Sequence, residues 1–299
     1  LKWTTIETEH FNIHYHQNLD KIAIQGASIA EQIRPTLMKQ MGLESLPTLD
    51  IIFTAEDEVL NGFAVPANYT IIWVDQNDAA LWTGDEKWLR TVLAHELQHL
   101  VYFNTVKGPW WLPEPMNSLV HGTPAWIVEG IAEYFTEEWR PFRYELSHRY
   151  HVLRNTVHKI QDPHNDGYSK SLYLADRFGD STISKILNHR NKLKLFDFKE
   201  SFKKHTGITL KQFNEDWRRQ MNTFYFSQRS QKERLEDAGV IRKLPIKRVL
   251  SFDYFSDTSR VAMITRLSKG QYDLSLVGAT RDTVNEKKAR QPLIRKGLK

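Results

Sequence analysis

The chain contains no cysteine among its 299 residues. Disulfide bonds and zinc sites built on thiolates are therefore excluded, although the absence does not fix the compartment. Long apolar runs are also lacking, and none approaches the length of about 18 residues that a membrane-spanning helix needs. We therefore expect no transmembrane segment.

Charge of one sign is not concentrated in any segment. Lysine and arginine number 41 against 36 acidic residues, and the resulting net charge of +5 is spread through the chain. Clustered basic runs with interleaved aromatics, which are typical of nucleic-acid-binding proteins, are lacking. We expect no nucleic-acid partner. A hydrophobic content of 40% is enough for a core, and the length suits two or three domains.

What the sequence does contain is the segment 95–99, which reads His-Glu-Leu-Gln-His inside an amphipathic helical pattern. His95 and His99 are four residues apart, so they lie on one face of the helix and can bind one Zn²⁺ together. Glu96 is rotated away from that face. It can reach a metal-bound water rather than the metal, and accept a proton from that water.

The alternative is a chance motif with two surface histidines on an ordinary helix. Against it, His95, Glu96 and His99 fall among apolar positions rather than on a polar face. Polar groups buried without partners are costly, so something should satisfy them, and a metal would do so. The flanking apolar positions are Leu89, Val92, Leu93, Leu97, Leu100 and Val101.

A second predicted helix, within residues 122–135, carries two carboxylates. Glu129 and Glu133 are four residues apart and share a face, in a helix that is otherwise mostly apolar. A solvated acidic stripe is the alternative, and the surrounding apolar residues disfavour it. Gly130 inside this helix costs about 1 kcal/mol relative to alanine. That cost predicts a second backbone passing close to this point.

The two motifs together resemble the gluzincins, the thermolysin-like branch of the zinc metallopeptidases. That family carries H-E-x-x-H on one helix and E-x-x-x-[DE] on a following helix. The resemblance implies an α+β fold, a thermolysin-like zincin with a small mixed-sheet lobe and a helical lobe. It implies one Zn²⁺ per chain with Glu129 as the third ligand, and Glu133 as the carboxylate that orients a ligand histidine.

Residues 62–65 occupy a place similar to the G-x-M-E-N edge strand of the gluzincin aminopeptidases. By this resemblance Gly62, Phe63 and Ala64 are candidate substrate-binding residues, which would pair with an extended peptide. Val65 stands near the family's glutamate, which holds the substrate's free amino terminus. This departure favours an endopeptidase over an aminopeptidase. The alternative for the segment is an ordinary apolar hairpin.

Residues 168–171 read Tyr-Ser-Lys-Ser at the beginning of a predicted helix. They resemble the Y-x-K-G segment of the same aminopeptidases, whose tyrosine donates a hydrogen bond to the oxyanion. The resemblance therefore implies Tyr168 as a catalytic residue, although Ser171 replaces the family's glycine and the match is partial. A half-buried tyrosine at a helix start is the alternative.

The remaining pattern predicts the domain organisation. β-type runs and a helix over residues 19–41 precede the zinc helix, so we expect a mixed α/β lobe over residues 1–108. A loop containing Trp110 and Trp111 then leads into a helical lobe over residues 109–238.

Short β-type runs follow a charged linker and make up a β-rich segment over residues 239–299. They cover residues 249–255, 260–266 and 272–277 and resemble the first blade of a TolB-like propeller. One blade cannot close a propeller, so we expect that the rest of a longer chain follows residue 299.

We therefore expect a zinc-dependent endopeptidase whose substrate is a peptide or unfolded polypeptide, with Glu96 as general base. Two alternatives stay open: a catalytically silent peptidase-like scaffold that binds partners, which the intact Glu96 disfavours, and a zinc hydrolase of a non-peptide substrate. Because the chain begins at Leu1 rather than methionine, we expect a processed start. We expect a periplasmic or extracellular location.

Overall fold

The computed structural model divides the chain into two compact units, residues 1–231 and 232–299. Trp110 and Trp111, and most of the predicted linker, lie outside the residues that the structure describes. The predicted lobe boundary near residue 108 falls inside the first unit. The described residues are 2–16, 18–56, 61–74, 85–109, 121–136, 142–159, 162–232, 249–255, 260–266, 272–278 and 290–294.

The first unit begins with a five-stranded mixed sheet, as the sequence predicts. The strand order is β1-β2-β3-β5-β4. β2, β3 and β5 run parallel, while β1 and β4 pair antiparallel at the two edges. The strands are β1 (Trp3–Glu7), β2 (Phe11–His16), β3 (Leu49–Thr54), β4 (Asn61–Val65) and β5 (Tyr69–Trp73).

Helix α1 (Asp20–Met41) connects β2 to β3 and packs on β2. It ends at Gly42, whose φ of 68° is left-handed. The N–H of the next residue donates to the carbonyl of Met38, a C-terminal cap that favours glycine. The prediction for this helix is confirmed to within one residue.

Helix α2 (Asp85–Thr105) carries the His-Glu-Leu-Gln-His segment and packs against α1, β4 and β5. Its leucines recur at helical spacing and are buried, which fixes the face that it turns to the core. The edge strand β4 therefore lies directly against the helix that carries the motif. The buried leucines are Leu89, Leu93, Leu97 and Leu100.

The remainder of the first unit is helical. The predicted helix over residues 140–160 is shorter in the structure, because Asn155 takes a positive φ of 55° that an α-helix does not allow. A 3-10 turn (Val157–Lys159) follows it. The helices are α3 (Ala125–Thr136), α4 (Phe142–Leu153), α5 (Pro163–Phe178), α6 (Ser181–Asn188), α7 (Phe198–Thr206) and α8 (Leu210–Ser230).

An aromatic cluster holds the last helices together. Phe202 and Phe213 are fully buried and their rings meet edge to face at 5.2 Å. Burying a side chain of this size contributes about 1.5–3 kcal/mol. Trp217 on α8 donates its indole N–H to Ser169 Oγ on α5 at 2.9 Å, so α8 is tied to the helix that borders the site.

Helices α3 and α5 touch backbone to backbone. A Cβ atom built on Gly130 would lie 2.3 Å from the carbonyl oxygen of Gly167, and one built on Gly167 would lie 2.3 Å from the carbonyl oxygen of Trp126. Neither position has room for a side chain. The close backbone approach predicted from Gly130 is confirmed.

The second unit is an antiparallel sheet in the order β6-β7-β8-β9. Its first three strands coincide with the predicted β-type runs. A place in a propeller stays a prediction. In the described part of the chain, no helix is both long and apolar enough to cross a membrane. The strands are β6 (Val249–Phe255), β7 (Arg260–Arg266), β8 (Tyr272–Gly278) and β9 (Arg290–Ile294).

The helix contact gives the first prediction. Exchanging glycine for alanine in a helix ordinarily stabilises it, but Gly130→Ala should lower the free energy of unfolding by about 1–3 kcal/mol, because the methyl group must push α3 away from α5. Denaturant unfolding followed by circular dichroism measures this change. Ala125→Ser, on an exposed position of the same helix, is the control and should shift the value by less than about 0.5 kcal/mol. A stabilised Gly130→Ala variant would contradict the close contact.

Candidate metal centre and active site

Helices α2 and α3 bring the three predicted ligands together. The Nε2 atoms of His95 and His99 lie 3.1 Å apart. Oε2 of Glu129 lies 3.6 Å from Nε2 of His95 and 3.3 Å from Nε2 of His99. Three potential donor atoms from two helices therefore face one point.

These spacings fit a zinc ion. Two ligand atoms at tetrahedral angles, each ~2.0–2.1 Å from zinc, are separated by ~3.3–3.4 Å. The three observed separations, from 3.1 to 3.6 Å, lie around that value. Imidazole nitrogens with one carboxylate are also the ligand types of catalytic zinc sites, which keep a position open for water or substrate. His95, His99 and Glu129 are thus suited to hold the metal.

The surroundings of Glu129 favour the ionised form of its carboxyl group. Burial alone would raise the pKa of this carboxyl, but its contacts with His95 and His99 outweigh burial and hold the pKa well below its ordinary value. A metal ligand must be deprotonated, so the site presents this carboxylate in the form that binds.

Glu96 lies next to this group under the edge strand β4. The residue is 6% exposed, and burial raises the pKa of its carboxyl. The backbone N–H of Ala64 donates a hydrogen bond to it. A Cβ atom on Gly62 would lie 2.5–2.8 Å from the Glu96 side chain, so the strand can pass over the carboxylate only because residue 62 is glycine.

Glu133 lies behind His95, one helical turn after Glu129. It is 1% exposed, and its Oε1 lies 3.9 Å from Nδ1 of His95. Nδ1 is the ring nitrogen on the opposite side from the one that faces the metal point. Glu133 therefore faces this ring nitrogen at a distance longer than a hydrogen bond, and its role in orienting His95 stays a prediction.

His164 also belongs to this site, and the sequence analysis did not include it. Its Nδ1 lies 2.9 Å from Oε1 of Glu133 and 3.5 Å from Oε2 of Glu129. The hydrogen bond with Glu133 raises the pKa of this imidazole. Helical spacing could have indicated it, since His164 is one turn before Tyr168 on α5.

Tyr168 lies on α5 and is 2% exposed. Its ring packs against the rings of Tyr144 and Tyr134, at 5.6 and 6.5 Å between centroids. Because α5 begins at Pro163, Tyr168 lies in the second turn of the helix rather than at its start as predicted, and its burial favours the alternative of a structural tyrosine. The predicted hydrogen bond to an oxyanion stays a prediction.

The candidate substrate-binding residues form most of β4. Gly62, Phe63 and Ala64 pair with β5, and β4 is the last strand of the sheet among the residues that the structure describes. Phe63 is 56% exposed. An edge strand beside the metal point is placed to pair with an extended chain, as the prediction requires.

Comparison with known proteins gives a weak structural likeness. No protein-family model and no curated protein sequence matches the chain. The crystal structure of an aminopeptidase N family protein from Idiomarina loihiensis is similar, with a TM-score of 0.43 and 13% identity. The likeness covers 72% of this chain and 46% of that one, so the chain spans less than half the length of the protein it matches. A likeness of this degree assigns no function, so the function has to be argued from the site itself.

The second prediction concerns the metal. After loading with zinc and dialysis, the wild-type protein should retain one Zn²⁺ per chain, and His95→Ala or His99→Ala should reduce it to background, because two ligands do not hold the ion. Elemental analysis measures this. His158→Ala, an exposed histidine outside the site, is the control and should keep its zinc. A wild-type protein without stoichiometric metal would contradict the assignment.

Proposed function

We propose that the protein is a zinc metallopeptidase that hydrolyses internal bonds of extended polypeptides. The observation that carries this proposal is the convergence of His95, His99 and Glu129 next to the buried carboxylate of Glu96 and beneath an edge strand. Metal ligands, a base and a surface that can pair with a peptide are the parts that peptide hydrolysis needs.

The substrate would lie along β4. Among the described strands β4 pairs only with β5, and a peptide that adds to its other side would run past the metal point. Main-chain pairing of this kind does not depend on the substrate's side chains, so it suits polypeptides of varied sequence. Phe63, which is exposed on β4, offers an apolar contact.

The chain's own residues account for the proton transfers. Zn²⁺ at the three ligands would lower the pKa of a water toward ~7 and polarise a carbonyl. Glu96 accepts the proton of the attacking water while the carbon–oxygen bond forms. The same carboxyl then gives that proton to the amine nitrogen as the carbon–nitrogen bond breaks. Tyr168 is the proposed hydrogen-bond donor to the oxyanion.

The proposed endopeptidase specificity rests on the absence of acidic residues from β4. An aminopeptidase must offset the cost of desolvating a substrate ammonium, and an unpaired buried ammonium costs several kcal/mol. No residue of β4 is acidic, and Val65 stands near the position of the family's anchoring glutamate. Glu56 is exposed, and its neighbours Asp57 and Glu58 lie outside the described residues. A chain without an amine anchor can extend on both sides of the metal.

The third prediction separates metal binding from chemistry. Glu96→Gln keeps the shape of the side chain but cannot accept a proton, and removing a general base costs ~10²–10⁴ in rate. The variant should keep its zinc and lose ~10²–10⁴ in turnover of a peptide library, measured by mass spectrometry. Gly62→Ala should also keep its zinc and lose turnover, because the added methyl group displaces Glu96.

Three controls accompany that experiment. A chelator should abolish wild-type turnover, and added zinc should restore it. His158→Ala, at an exposed position outside the site, should keep turnover within a few-fold. Wild-type rates in Glu96→Gln would exclude Glu96 as the base. A zinc-loaded wild type that cleaves no peptide would instead favour a silent scaffold or a hydrolase of another substrate.

The fourth prediction concerns specificity. A peptide with a free amino terminus and its acetylated twin should be cleaved at similar rates, at internal bonds, because nothing in β4 binds the ammonium. Rates and products are followed by mass spectrometry. Strong preference for the free form, with residues released one at a time, would overturn the endopeptidase proposal and indicate an amine anchor elsewhere in the chain.

A further inference from the structure

The carboxylate of Glu133 is shared unequally between two imidazoles. Its Oε1 lies 2.9 Å from Nδ1 of His164 but 3.9 Å from Nδ1 of His95. The first separation is that of a hydrogen bond, and the second is longer than one. His164 is therefore the imidazole that holds Glu133, whereas His95 only faces it.

Holding this carboxylate in place has a physical reason. Glu133 is 1% exposed on a mostly apolar helix, and a buried carboxylate needs hydrogen-bond donors to offset its desolvation. A donor on α5 also restrains the rotation of the Glu133 side chain. Without it, Oε1 would have more orientations available, and fewer of them would face His95.

His164 is itself well fixed by its surroundings. Its backbone N–H donates to the side chain of Asp162 at 3.1 Å, which caps α5. The contact of Gly130 with Gly167 fixes α5 against α3. The ring of His164 stacks on that of His95, at 5.8 Å between centroids and 27° between planes. The first two contacts fix the backbone of α5 at this point, and the third orients the ring.

We propose that His164 is a positioning residue of the metal centre, which fixes Glu133 so that Glu133 orients His95. The proposal rests on the proposed metal site and adds a residue from a third helix to it. The relay runs from α5 through α3 to α2, in the order His164, Glu133, His95. It makes the affinity for the metal depend on a residue that is not a ligand.

A second metal ion is the competing explanation of the same cluster. Donor atoms of His95, Glu133 and His164 lie within 4.8 Å of one another, as a second site would require. His95 would then have to bind one ion with each ring nitrogen and give up the proton that neutral imidazole carries on one of them. A single ion with a hydrogen-bonded relay needs no such deprotonation.

The test measures zinc affinity, apart from activity. A chromophoric chelator competes with the purified protein for zinc, and His164→Ala should bind ~10–100-fold more weakly than the wild type. His164→Asn should recover most of the loss, because its amide N–H₂ takes the place of the ring Nδ1. His158→Ala is the exposed-histidine control and should bind as the wild type does.

Two further readouts separate positioning from general damage. In Co²⁺-substituted protein, the visible absorption bands should change in His164→Ala and return in His164→Asn, because the bands report the geometry at the ligands. The metal-free His164→Ala variant should unfold at a lower thermal midpoint than the metal-free wild type, because the buried Glu133 carboxylate loses a donor, and His164→Asn should restore the midpoint. A lowered midpoint with unchanged Co²⁺ bands would overturn the proposal.

Several outcomes separate this inference from the proposed function. Unchanged zinc affinity in His164→Ala overturns the positioning role alone. Two Zn²⁺ per chain, with one lost in His164→Ala, also overturns it and indicates the second site. A wild type that binds one Zn²⁺ per chain, has its zinc affinity lowered by His164→Ala and cleaves no peptide supports the positioning role. This outcome contradicts only the peptidase proposal.

Discussion

The contact between Gly130 and Gly167 is the constraint on which the site depends. Helix α3 carries Glu129 and Glu133, and α5 carries His164. The two helices approach until the backbone of one touches that of the other. A Cβ at either glycine would lie 2.3 Å from a backbone oxygen of the other helix, so the helices would have to move apart and stretch the 2.9 Å hydrogen bond between Glu133 and His164. The helix that carries Glu129, the proposed third ligand, is thus placed by the absence of two side chains.

Burial of charge explains why these residues occur together. Glu96 and Glu133 are almost completely buried on helices whose other inward residues are apolar. Each carboxylate would be costly alone, and each has a donor within reach: the N–H of Ala64 for one, the imidazole of His164 for the other. The Nε2 atoms of His95 and His99 both face the carboxylate of Glu129, at 3.6 and 3.3 Å. A cation at their common point with Glu129 would balance the remaining negative charge.

Local signals in the sequence predicted much of this structure, and long-range contacts were harder to predict. Spacing within a single segment predicts the end of α1 at Gly42, the strands of the mixed sheet, and the facing pairs of side chains on α2 and α3. Gly130 is an exception, because a costly glycine inside a helix indicates a contact without naming the partner. His164 was missing from the predicted site, because it reaches Glu133 through the crossing of α5 over α3 and only its spacing to Tyr168 could have indicated it. Asn155 shortened a predicted helix, since a left-handed residue is not visible in apolar periodicity.

Strand β4 has two roles that cannot be separated. The N–H of Ala64 holds the carboxylate of Glu96, and the bare backbone of Gly62 leaves that carboxylate its space. The same strand is the edge with which a peptide would pair. In the proposed function, binding of the substrate and placement of the base therefore depend on the same short piece of backbone. A side chain at residue 62 that improved the pairing would displace Glu96. A carboxylate added to β4 to anchor an amino terminus would stand close to Glu96 and raise the pKa of Glu96 further. The absence of acidic residues from β4 is consistent with a base that must stay ionised and with a groove open at both ends.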